Sequence, residues 1–187
     1  MSKEAPESPS LEDESPDVLP CYSHRSLDFR LEVPIAPDWQ NIDLLRTAIL
    51  HCLAAALADT NVGAVVATIT SELLENGIKY GDWTGKDALH VRVLADARRI
   101  AIDVASPVAH EDHVANVRRV LDWIGSFPSA REAYVARMQA IADASEPGGS
   151  RMGLVRVACE GPCRLEAQLE ADGLLHVRAH LTTSHAA

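Results

Sequence analysis

The sequence predicts an α+β two-layer sandwich: a mostly antiparallel sheet of about five strands with helices over one face. Two pairs of segments alternate apolar and polar residues across short polar links, which is how hairpins read. Other stretches carry apolar residues at three- and four-residue spacing, as amphipathic helices require. Apolar residues make up 47% and charged residues 24% of the 187 residues, enough for a sizeable core.

The first strand is read from Leu27, Phe29, Leu31 and Val33, which alternate with polar residues until Pro34 and Pro37 end the run. Asp38 or Asn41 can cap a helix whose stripe is Ile42, Leu45, Ile49, Cys52, Leu53, Ala56 and Leu57. After Asp59-Thr60 a second helix spans 61–80, with Val62, Val65, Val66, Ile69, Leu73 and Tyr80 on its apolar side and Gly81 as its stop. Leu89, Val91 and Val93, then Ile100, Ile102 and Val104, form a hairpin across the polar link 96–99. Helices over 110–125 and 129–143 follow, divided by Ser126-Phe127-Pro128. A glycine-rich loop at Pro147-Gly148-Gly149-Ser150 leads into a short helix starting near Met152. The chain closes on a second hairpin, Cys163 to Leu169 and Leu175 to Leu181, turned by Asp172-Gly173.

Residues 1–20 hold one lysine against six acids, half of the chain's net charge of -10, together with four prolines. Such a segment cannot bury enough apolar surface to offset its ordering entropy. Residues 1–24 are therefore expected to be a disordered acidic tail, solvated or used for docking, and residues 25–187 one domain. The acidic balance and the lack of basic clusters exclude nucleic acid as the main partner. No stretch is long and apolar enough to span a bilayer, and the polar N-terminus is no signal peptide. The four cysteines, Cys21, Cys52, Cys159 and Cys163, form no dense framework and suit reduced thiols in a cytoplasm.

The segment Ser71-Glu-Leu-Leu-Glu-Asn-Gly-Ile-Lys-Tyr-Gly81 carries more than packing. Glu72, Asn76 and Lys79 fall within roughly 60° of one another on the helix, at the shoulder of the apolar stripe. Polar groups there need partners or a pocket. A carboxylate and an amide one turn apart can hold a hydrated Mg²⁺, and the carboxylate can orient a nucleophile. The same spacing also suits an Asn bonded to backbone and a Glu at the surface.

Glu72 to Gly81 resembles the N box of the GHKL ATPases, the histidine-kinase-like superfamily. Gly149-Ser-Arg-Met-Gly-Leu154 resembles their second glycine box, and the order of elements over 25–183 agrees. With Glu132-Ala-Tyr-Val-Ala-Arg-Met138, these segments are similar to the SiaB-like branch, itself related to the SpoIIAB- and RsbW-like anti-sigma-factor kinases. The resemblance implies a Bergerat-type ATP-binding fold and transfer of phosphate to Ser or Thr of a small bacterial signalling protein, either anti-sigma-antagonist-like or SiaC-like. It implies Glu72 as base, Asn76 as ligand of Mg²⁺, Lys79 near the phosphates, and Gly149, Ser150, Arg151 and Gly153 as their cradle. A homodimer is left open.

The chain departs from the pattern in two places. The first glycine box normally brings an Asp to the adenine; here Ser106 stands there and the glycines are missing, while Asp103 points the other way along its strand. Arg151 replaces a glycine, so its Cβ narrows the loop or its guanidinium contacts phosphate. A non-enzymatic interaction module with a decayed pocket is the alternative. A histidine kinase proper is not expected, because no dimerisation helix with a phosphoacceptor His precedes the domain.

Elsewhere, His110 and His113 hint at a metal, but Glu111 and Asp112 beside them suit a helix start on their own account. Gly161-Pro162 breaks any helical pairing of Cys159 with Cys163. His176, Arg178 and His180 fall on the polar face of the last strand and are expected in solvent, as are Arg118, Arg119 and Arg131.

Overall fold

The computed structural model describes residues 25–31, 39–56, 60–84, 89–95, 98–108, 111–143, 152–160 and 163–182. The expected acidic tail, the helix cap at Asp38, His110 and the glycine-rich loop lie outside them. The element order is β1 (Arg25–Leu31), α1 (Trp39–Ala56), α2 (Thr60–Tyr80), β2 (Leu89–Ala95), β3 (Arg99–Pro107), α3 (Glu111–Gly125), α4 (Ala130–Asp143), α5 (Gly153–Glu160), β4 (Cys163–Leu169) and β5 (Leu174–Thr182). The strands form one sheet in the order β1-β2-β3-β5-β4, with every neighbouring pair antiparallel. The fold is thus the α+β two-layer sandwich that the alternation predicts.

Strand alternation sends Leu89, Val91 and Val93 of β2, Ile100, Ile102 and Val104 of β3, and Ala179 and Leu181 of β5 to one buried face. Helix α2 lies on it through Val66, Ile69, Leu73, Leu74 and Ile78, all buried. Truncating a side chain such as Ile78 to Ala here costs about 2–5 kcal/mol. Helix α1 packs on α2 and β1, α5 on α2 and β4, and α3 and α4 on α5. Within α2 the buried Thr70 hydroxyl is satisfied by donating to Val66 O at 2.7 Å.

The end of α2 is fixed in place. The Gly81 amide donates to Gly77 O at 2.9 Å, and Trp83 Nε1 donates to Ile78 O at 2.9 Å. A Cβ on Gly81 would lie 2.6 Å from Gly77 O, so only glycine fits there. Gly81 also bridges to Val108, which ties the helix end to the end of β3.

Three expectations are corrected. Asn41 lies inside α1 and does not cap it, because the helix already begins at Trp39. Cys52 is exposed, since α1 turns the line Leu45, Ile49 and Leu53 to the core and leaves Cys52 on its flank. Tyr80 is 41% exposed and is no core residue; its ring instead meets His113 of α3, with centroids 5.3 Å apart.

The other face of the sheet is polar. Asp28, Arg92, Asp103, Arg178 and Glu166 stand opposite one another in a single rung across β1, β2, β3, β5 and β4. Charge alternates at every step. Arg92 Nη2 lies 2.8 Å from Asp28 Oδ2, and Arg178 Nε lies 3.5 Å from Asp103 Oδ1.

Candidate functional site

The shoulder of α2 faces the N-terminus of α5. A Cβ added to Gly153 would lie 3.0 Å from Asn76 Nδ2, 3.3 Å from Asn76 Oδ1 and 3.4 Å from Glu72 Oε2. The missing side chain lets the two helices meet at this point. Asn76 Nδ2 is buried and has no hydrogen-bond partner among the described residues. An amide donor left bare in this way marks a position where a ligand or water completes the bonding.

Glu72 is one turn away. Its side chain is 21% exposed, and its Oε1 lies 3.0 Å from Nη1 of Arg156 on α5. The same guanidinium reaches Glu160 Oε1 through Nε at 2.9 Å. Burial raises the Glu72 carboxyl above its ordinary range; Arg156 pulls it back down, and Glu75 and Glu160 push it further up. The net rise places Glu72 among groups suited to exchanging a proton.

Beside this pair is a cavity of about 490 Å³ between α2, α3, α4, α5 and the sheet. That volume suits a small ligand. Val104, Leu175 and Val177 give it an apolar wall, and Asn76, Ser106, His113, Asn116, Arg119 and Arg137 supply polar groups. Ser106 is buried against Gly77 of α2: a Cβ on Gly77 would lie 3.3 Å from Ser106 Cβ and 3.4 Å from its Oγ. Burial lowers the titration of His113, so its ring favours the neutral form. Arg137 has a buried Nε without a hydrogen-bond partner among the described residues, and its guanidinium carbon stands 6.0 Å from the Trp123 ring centre.

The structure thus brings together Asn76, Ser106 and Gly153 on the cavity wall, with Glu72 next to them. Lys79 is not part of that wall; it is exposed, with its ammonium 5.2 Å from the Tyr80 ring centre. Gly149, Ser150 and Arg151 lie outside the described residues. His113 lines the cavity and joins no cluster of metal-ligating side chains among the described residues. Asp103 points away from the cavity, as its parity requires, towards His176 and Arg178. His176 is the correction on that strand: it is 9% exposed, because carboxylates from β3 and the β4–β5 turn gather over it.

Sequence reasoning missed Arg156 and Arg137. A helical wheel places Arg156 one turn after Gly153, which is the only signal for it. Helix α4 has no strong apolar face to show which way Arg137 points.

The residues fit a nucleotide with its cation in three respects: an unpaired amide at Asn76, a cradle at Gly153 that a Cβ would crowd, and arginines on the cavity wall for a polyanion. No protein-family model matches the sequence, and no curated protein matches it. Among solved structures the fold is similar to a chain in the crystal structure of the SiaB–SiaC complex from Pseudomonas aeruginosa. The TM-score is 0.57 at 17% identity, covering 87% of this chain and 94% of that one. At that identity the likeness is one of fold. Among the described residues no helix is long and apolar enough to cross a membrane.

Proposed function

We propose that this chain is a GHKL-type, SiaB-like regulatory protein of a bacterial partner-switching pathway, which binds ATP with Mg²⁺ and phosphorylates a Ser or Thr of a small signalling protein. The observation that carries this reading is the unpaired amide of Asn76 against the bare Cα of Gly153, with Glu72 one turn away. The fold likeness to a chain of a SiaB–SiaC complex supports a small partner of the SiaC kind.

Bound ATP·Mg²⁺ supplies a transferable phosphoryl group and a cation that neutralises developing charge. In this reading Asn76 offers its amide oxygen to the cation and its Nδ2 to an anion. The backbone amides at the start of α5, with Gly149, Ser150 and Arg151, cradle phosphate. Ser106 gives the adenine a hydroxyl, a weaker partner than an ionised acceptor. Glu72 accepts the proton of the partner's hydroxyl, and its raised titration keeps it basic enough to do so. Lys79, lying over Tyr80, would have to swing inward to reach phosphate.

A second reading has its own observation. Glu72 is already paired with Arg156, and a base held by a guanidinium also suits a pocket that has lost its chemistry. The chain would then hold its partner without transfer.

Titration calorimetry with ATP and ADP, with and without Mg²⁺, tests the proposal. Binding is expected to be weak and tighter with Mg²⁺, because a missing charge-assisted hydrogen bond costs about 1.5–3 kcal/mol. No heat and no thermal shift at millimolar ATP·Mg²⁺ would leave only the interaction module.

A further inference from the structure

On the face of the sheet away from the cavity, His176 is buried among acids. Its Nδ1 lies 3.0 Å from Asp103 Oδ2 and 3.1 Å from Oδ1. With Nδ1 donating to that carboxylate, the lone pair sits on Nε2. Nε2 is buried and has no hydrogen-bond partner among the described residues. It points at two carboxylates of the β4–β5 turn, 3.4 Å from Glu170 Oε2 and 3.7 Å from Asp172 Oδ2. The three ligand atoms all lie within 4.8 Å of one another.

The remaining oxygen of each carboxylate is already taken. Glu170 Oε1 is paired with Arg178, and Asp172 Oδ1 accepts the Leu174 amide at 2.9 Å. The turn itself is closed by Gly173 N donating to Glu170 O at 3.0 Å, with Gly173 at φ +82°. Each ligand is therefore oriented from behind. The carboxylate–histidine pair of Asp103 and His176 is the arrangement that fixes ring and tautomer at metal centres. Two donors on a tetrahedral ion at about 2.0–2.1 Å lie about 3.4 Å apart, close to the 3.4 and 3.7 Å from His176 Nε2 to the two carboxylates.

We propose that His176 Nε2, Glu170 Oε2 and Asp172 Oδ2 bind one divalent transition-metal ion, zinc above all, as a clasp on the β4–β5 hairpin. One nitrogen and two carboxylate oxygens suit zinc better than Mg²⁺ or Ca²⁺, which prefer all-oxygen sets. The fourth position is left to water on the side of the exposed Asp172. The ion pins the turn to β5 and to Asp103 of β3. This inference does not rest on the nucleotide reading, since the cluster lies on the opposite face of the sheet.

The full chain, stripped with chelator and then freed of it, is titrated with Zn²⁺ and with Co²⁺. One ion per chain is expected, with a zinc-dependent rise in melting temperature and a cobalt spectrum free of thiolate charge-transfer bands. Asp172→Ala, at an exposed turn position, should fold and should weaken zinc at least about tenfold. Asp103→Asn should weaken it about 10–100-fold by loosening the ring. No saturable uptake at about 100 μM zinc, far weaker than a structural site, would overturn the proposal and leave a protonated His176 among its acids. Uptake unchanged by Asp172→Ala, or thiolate bands from the cysteines, would overturn it as well.

Discussion

Arg156 Nη1 lies 3.0 Å from Glu72 Oε1, and this contact joins α5 to α2 across 84 positions of sequence. The guanidinium is itself held by Glu160 one turn along α5. The proposed base is therefore tethered to the same short helix whose N-terminus would hold phosphate. A movement of α5 would change both functions together.

Arg156→Ala removes the larger of the two charges that lower Glu72, leaving only Arg46 against the burial, Glu75 and Glu160 that raise it. The Glu72 carboxyl should then titrate at still higher pH. In a phosphate-transfer assay the acidic limb of the pH–rate profile should move to higher pH. An unmoved limb would remove Glu72 from the role of base.

Glu72→Gln keeps shape and hydrogen bonding but not basicity. Transfer of labelled phosphate should slow by about 10²–10⁴ while nucleotide affinity changes little, since a base acts mainly in the transition state. Equal transfer rates for the variant and the native chain would refute the assignment.

Asn76→Ala should lower affinity for ATP·Mg²⁺ at least about tenfold. The melting temperature should move by only a few degrees, because Nδ2 has no hydrogen-bond partner to lose among the described residues. A sharp drop without ligand would show that the amide serves the fold.

Gly153→Ala places a methyl group 3.0 Å from Asn76 Nδ2. The Asn76 amide must then give by a few tenths of an ångström, which moves it out of its present position in the site. Calorimetry should show weaker nucleotide binding. Unaltered affinity would place the ligand elsewhere.

His113 is held below its ordinary value of 6.5 by burial. The unfolded chain therefore takes up a proton near pH 6.5 that the folded chain still refuses. Stability from this group is full above pH 6.5 and is lost as pH falls through the lower folded value. Urea melts from pH 7.5 to 5 should show a shallower loss in His113→Gln than in the native chain; identical slopes would place His113 in solvent.

Local pattern explains what could be read in advance. The hairpins follow from alternation and Asp172-Gly173, and α2 follows from its spaced apolar residues and Gly81. Asn76 was legible because a polar residue on an apolar shoulder needs an explanation. Arg156 meeting Glu72 was not, since no local signal spans two helices separated by a hairpin and two more helices. His176 was misread for a related reason. Its parity puts it on the polar face, but its burial depends on acids from β3 and from the turn, which alternation along β5 does not report. Lys79 shows the limit of the helical wheel: the angle fixes where a side chain starts, and this one ends exposed, with its ammonium 5.2 Å from the Tyr80 ring centre.

The alternating rung of Asp28, Arg92, Asp103, Arg178 and Glu166 also acts as a proofreading mark for strand alignment. A slip by one residue turns the core outward and is rejected on that ground. A slip by two keeps the apolar side chains inside, so the core alone does not detect it. It would, however, set Arg92 against Ala101 or Ala105 instead of Asp103, and Arg178 against the same alanines. Each of the four strand interfaces contributes a step to the rung, so a misaligned pair anywhere breaks the alternation at that step.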